Sequence, residues 1–156
     1  MIGHSEDLIA QVCCYLDSQQ WHYKRHGDKN ILELGMNLKC KLNSCKIFID
    51  VRDDYILTYA VSPINATEDV RPVVAEYITR ANYGLKSGNF EMDYRDGEVR
   101  YKTYLRCSIE VPPLEDVEHS VDLPIAMMQR YGDGLVKCMM GFGNPEKDIE
   151  AAEAEG

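Results

Sequence analysis

The chain has 156 residues, of which 45% are hydrophobic and 28% charged, the balance of one soluble globular domain large enough to be stable without a staple. Seventeen basic residues against 26 acidic ones leave a formal charge of −9. That charge disfavours nucleic acid and anionic lipid as partners, because phosphate binding rests on clustered Lys and Arg. No apolar run approaches the ~20 residues that span a bilayer.

Ser5 can cap a first helix, with Glu6 and Asp7 near the positive end of its dipole. Leu8, Ile9, Val12, Cys13 and Leu16 give it one apolar stripe, and it is expected to end near Asp17–Gln20. Trp21–Lys29 reads as a polar connection. From Leu32 to Leu42 apolar residues then alternate with Glu33, Gly35, Asn37, Lys39 and Lys41, predicting one long half-buried strand. A turn at Asn43-Ser44 leads back through Cys45, Ile47, Ile49 and Val51, which would set Leu42 opposite Cys45 and Leu38 opposite Ile49. A three-residue loop, Arg52-Asp53-Asp54, would place Tyr55, Leu57, Tyr59 and Val61 on the same core face, up to Pro63.

Thr67 or Asp69 is the expected cap of a second helix, with Pro72 in its first turn and Gly84 at its end. Its stripe is Val70, Val73, Val74, Tyr77, Ile78 and Ala81. Phe90, Met92 and Tyr94 alternate into an Asp96-Gly97 turn, and Val99 to Cys107 alternate back. A two-residue turn would place Asp93 opposite Arg100 and Glu91 opposite Lys102. After Pro112-Pro113 a third helical region runs from Leu114 to about Gly141, interrupted near Leu123-Pro124. Asn144-Pro145-Glu146 opens a short last helix, and the acidic end beyond it reads as solvated and frayed. The expected fold is α+β, in the order α-β-β-β-α-β-β-α, with one antiparallel sheet of about five strands and helices on one face. Residues 1–143 form the domain, and 144–156 the short helix and acidic tail.

The element order, the segment Arg80-Ala-Asn-Tyr-Gly-Leu-Lys-Ser-Gly-Asn-Phe-Glu-Met-Asp93 and the following Asp96-Gly-Glu-Val-Arg-Tyr101 resemble the YbjN family. So do Tyr131 and the Gly141…Pro145-Glu146 stretch. These are bacterial proteins labelled sensory-transduction regulators, with a fold like that of the type III secretion chaperones. The resemblance implies a small homodimeric binding or regulatory protein. It brings no catalytic residues and no cofactor.

Several chemical readings compete with this one. Gly84 and Gly88 could suggest a phosphate cradle, but no Lys-Ser/Thr and helix follow them, so they read as sharp turns. His22, His26, Cys40 and Cys45 lack the spacing of four convergent zinc ligands, so no metal is expected. None of His4, His22, His26 and His119 stands in a nucleophile motif. Glu91 and Asp93 would be held ionised by cationic neighbours and make poor general acids. Met1-Ile-Gly-His-Ser-Glu-Asp lacks the basic and apolar regions of a secretory signal, which points to the cytoplasm and to six reduced, mostly buried cysteines.

What remains is a non-enzymatic protein-binding module, chaperone-like or regulatory. Phe48, Ile56 and Tyr104 are expected on the solvent face of the sheet, where apolar groups mark a contact surface. Met127 and Met128 are expected on the last long helix, as an adaptable methionine surface. The partner would be a protein or peptide. The alternatives are a regulator sensing a small ligand between sheet and helices, and a small hydrolase using Cys or His.

Overall fold

In the computed structural model, which describes residues 5–154, the first apolar stripe folds as α1 (Ser5–Ser18) and buries Leu8, Ile9, Val12, Tyr15 and Leu16. His4 and the start of the N-terminal segment lie outside the described residues. The chain then forms β1 (Lys24–Arg25), β2 (Ile31–Asn37), β3 (Ser44–Val51), β4 (Tyr55–Val61), α2 (Arg71–Asn82), β5 (Asn89–Asp93), β6 (Glu98–Arg106), α3 (Leu114–Met139) and α4 (Pro145–Ala154). All strand pairs are antiparallel, in the order β1-β2-β3-β4-β6-β5. The α+β class and element order agree with the sequence. The sixth strand is the two-residue β1, inside the segment that reads as a plain connection.

β2, β3, β4 and β6 alternate buried and more exposed positions, and the buried set meets the helices. Across the sheet the inward row Leu34, Ile47, Ala60, Tyr101 and Phe90 is continuous, and each of these residues is at most 3% exposed. Phe90 packs edge-on against Tyr101 and against Tyr131 of α3, with ring centroids 4.8 and 5.5 Å apart. The buried Tyr77 hydroxyl of α2 donates to the Tyr131 carbonyl at 2.6 Å. These aromatic side chains fill the space between sheet and helices.

Three expected pairings are corrected. β2 stops at Asn37, so Met36, not Leu42, faces Cys45, and Leu32, not Leu38, faces Ile49. The stretch Leu38–Asn43 leaves the sheet to pack on α3. Lys39 N–H donates to Gln129 Oε1 at 3.0 Å and Lys41 N–H to Asp133 Oδ1 at 2.7 Å. Leu38 and Leu42 stay buried there, so their alternation marks burial without a strand. The displacement of six residues is even, and the core face of β2 is therefore preserved.

The second correction inverts a face. Arg52 N–H donates to the Tyr55 carbonyl, and Val51 pairs with Ile56 rather than Tyr55, so that four residues rather than three lie between the paired positions. One residue of slip turns every side chain of β4 over. Ile56, Thr58 and Ala60 go inward and are fully buried, while Tyr55, Leu57, Tyr59 and Val61 face out and are half-buried. The third correction is in the hairpin, where Gly97 N–H bonds to the Asp93 carbonyl. Asp93 then faces Glu98, and Glu91 faces Arg100.

The helices differ in detail too. The Thr67 hydroxyl donates to Asp69 Oδ1 at 2.6 Å and neither side chain caps α2, whose cap position is Val70. Pro72 does sit in the first turn, as its missing N–H allows. α3 runs uninterrupted through Pro124. A proline leaves the carbonyl four residues back without its helical donor, and here the Thr103 hydroxyl of β6 donates to that Ser120 carbonyl at 2.6 Å. α4 is docked rather than frayed. Asn144 Oδ1 accepts from Lys147 N–H and Asp148 Oδ2 from Asn144 N–H, closing its first turn at both ends. Ile149 is buried, and Tyr131 donates to Glu153 at 3.0 Å.

All six cysteines are free, and Cys45, Cys107 and Cys138 are buried. Burial above all, with the nearby Cys40, pushes the Cys45 thiol up to about 12. Burial, then the carboxylates of Asp148 and Glu76, pushes Cys138 up to about 11. A thiol reagent at a pH of about 8 is therefore expected to label the exposed Cys14 first and these two only on unfolding. Peptide mapping that found Cys45 modified as fast as Cys14 would contradict this packing.

Candidate functional site

The outward face of the sheet carries the most concentrated chemistry on the molecule. On β3, β4 and β6 the residues Phe48, Tyr59, Leu57, Tyr55 and Tyr104 form an aromatic and aliphatic diagonal. Phe48 is paired with Tyr59, and Leu57 with Tyr104. The Tyr55 and Tyr104 rings lie 5.7 Å apart, and the Arg100 guanidinium sits 4.1 Å over the Tyr59 ring. Tyr104 is 58% exposed. These side chains shield one another, yet the helices pack on the opposite face of the sheet. An outward row of this kind can accept a further apolar surface at low desolvation cost.

Charge around the diagonal is sharply organised. Glu91 accepts from Arg100 at 2.6 Å and from Lys102 at 3.2 Å. Burial opposes ionisation of Glu91, but those two cations outweigh it and hold the carboxyl below its ordinary value. Asp93 is held at about 2, first by its hydrogen bonds from Arg95. Both remain ionised at neutral pH, so neither supplies a proton to a reaction. Asp50 is held by Arg52 at 2.8 Å, and Glu33 by His26 at 2.9 Å.

Of the residues singled out in the sequence, Phe48 and Tyr104 take their places on this face. Ile56 does not: it is fully buried, because the four-residue turn points it at the core. Met128 is likewise fully buried under the Leu38–Asn43 loop, whose Cys40 thiol lies 3.9 Å from the Met128 carbonyl. Met127 is half-buried against the core. Met128 therefore offers no contact surface. The residues that sequence reasoning missed are Tyr55, Leu57 and Tyr59. β4 is apolar on both faces, so alternation alone does not choose between them, and only the turn length does.

The other candidates disperse. His22 is exposed, His26 bonds to Glu33, Cys45 is buried in the core and Cys40 packs on α3. Among the described residues no three His, Cys, Asp or Glu side chains are grouped to hold a metal ion. The Asn82–Phe90 segment is a structural tie: Asn82 Oδ1 accepts from Phe90 N–H at 2.7 Å, and Asn82 Nδ2 donates to the Phe90 carbonyl at 3.0 Å. Among the described residues no helix is long and apolar enough to cross a membrane.

A single antiparallel sheet with helices on one face makes this chain an α+β protein. Its structure is similar to the crystal structure of YbjN from E. coli, a candidate transcription regulator. The TM-score is 0.54 at 14% identity, over 80% of this chain and 90% of that one. No protein-family model matches the sequence, and no curated protein matches it in sequence.

Proposed function

We propose that this chain is a non-enzymatic, regulatory protein-binding module. It acts in the cytoplasm of a bacterium as a homodimer, and it holds a partner polypeptide on the open face of its sheet. The observation that carries the reading is the outward diagonal of Phe48, Tyr55, Leu57, Tyr59 and Tyr104, on a face that no helix among the described residues covers. The similarity to a candidate regulator supports it. A chaperone-like role is the same reading with an unfolded client as the partner. The sensing alternative is less well supported, because Tyr77, Tyr101 and Tyr131 occupy the space between sheet and helices, each at most 1% exposed.

The test is affinity capture of the tagged chain from lysate of its own source, read by native mass spectrometry beside the Tyr104→Ala variant. Tyr104 is exposed, so its truncation is expected to change stability by no more than ~0.5 kcal/mol. The expected result is a dimer carrying one recurrent polypeptide, with occupancy reduced at least about fivefold in the variant. Capture that Tyr104→Ala leaves unchanged would remove the open face from the reading. A dimer carrying only a small molecule would turn it toward sensing, and a bare monomer would count against the homodimer.

A further inference from the structure

We infer that the partner segment is acidic as well as apolar: an extended stretch of polypeptide whose carboxylates meet the cations at opposite corners of the aromatic diagonal. This rests on the reading of the open face given above and adds the chemistry of its occupant.

The outward positions of β6 run Glu98, Arg100, Lys102, Tyr104, Arg106, and Lys46 stands across the sheet on β3. One carboxylate, Glu91, answers both Arg100 and Lys102. Lys46 and Arg106 are exposed and have no carboxylate partner among the described residues, although Arg106 Nε donates to Ser108 Oγ at 2.7 Å. The carboxylates beside the diagonal, Glu33 and Asp50, are each held by a cation of their own, so Lys46 and Arg106 stand as spare cations at its two corners. Lys46 lies level with Val61, and Arg106 with Tyr55. The two corners are thus six residues apart along β4 and two strands apart across it, roughly 20 Å at ordinary strand spacings. An extended segment of about seven residues covers that distance, with its apolar side chains on the tyrosines and a carboxylate at each end. A nucleic acid fits less well. Its affinity comes from many neutralised phosphates, whereas two spare cations on an acidic protein neutralise few.

The probe is a phage-displayed library of random peptides of about twelve residues, selected on the immobilised full chain. Winners are resynthesised and measured by fluorescence anisotropy at low and high salt. Enriched peptides are expected to flank an apolar core with Asp or Glu. The Lys46→Glu/Arg106→Glu double variant is expected to weaken them about tenfold at low salt, and a selection on that variant should return Lys- or Arg-flanked peptides. Peptides with no acidic bias, weakened by Tyr104→Ala but not by the charge reversals, would overturn the acidic partner and leave the open face standing. Peptides indifferent to Tyr104→Ala would overturn both. Tighter binding of a short oligothymidylate than of any selected peptide would overturn the inference in favour of nucleic acid.

Discussion

Replacing Gly97 with alanine is expected to cost about 3 kcal/mol and to lower the melting temperature by roughly 6–12 °C. Gly97 has φ +78°, and a Cβ there would lie 1.9 Å from the Ala66 carbonyl oxygen. That oxygen belongs to backbone and cannot rotate away as a side chain could. The two segments are also tied by the bond from Ala66 N–H to the Gly97 carbonyl at 2.8 Å. The β5–β6 turn therefore cannot retreat without disturbing the segment that leads into α2. Gly84→Ala is the control. Its φ is +88°, but nothing lies within 4 Å of the added Cβ, so only the left-handed penalty of about 1 kcal/mol applies. Equal losses in the two variants, measured by calorimetry, would mean that the contact with Ala66 is unimportant.

Thr103→Val is expected to destabilise the fold by about 1–3 kcal/mol through one hydrogen bond. The substitution keeps the shape of the side chain but removes the donor to the Ser120 carbonyl, both residues being buried. With Pro124 in place, that carbonyl has no helical N–H to fall back on. In a Pro124→Ala background the alanine N–H can serve it, and the same Thr103→Val change is expected to cost less than ~1 kcal/mol. The double-mutant cycle in urea isolates this coupling from the separate packing effects of each change. Costs that are the same in both backgrounds would refute the account of why α3 continues through its proline.

The same residues show how much was legible beforehand. The apolar stripes of α1 and α2, the Asp96-Gly97 turn and the alternation in β3 and β6 are local signals, and local physics sufficed to read them. Pro124 misled because the donor that rescues its helix comes from Thr103, on a strand that the sequence does not place beside it. Leu38 and Leu42 misled because burial on α3 produces the same period as burial in a strand. The hairpin register failed differently. Glu91 does meet Lys102, but diagonally, so the charge pattern fits two registers. The candidate site depended on the length of a single turn. With four residues between Val51 and Ile56, the tyrosines of β4 changed sides, and a surface read as one of scattered residues became continuous.

The tie between Asn82 and Phe90 has a consequence for assembly. β5 is an outermost strand, and an outermost strand offers its unpaired backbone groups to any extended chain that drifts past. The Asn82 amide takes both the N–H and the carbonyl of Phe90, occupying the place of a seventh strand with one side chain. At the opposite border β1 spans only Lys24–Arg25, too short and too charged to seed edge-to-edge polymerisation. With both borders blunted, growth of the sheet into fibrils is discouraged, and its broad aromatic surface can stay uncovered in a crowded cell without drawing copies into an unending ribbon.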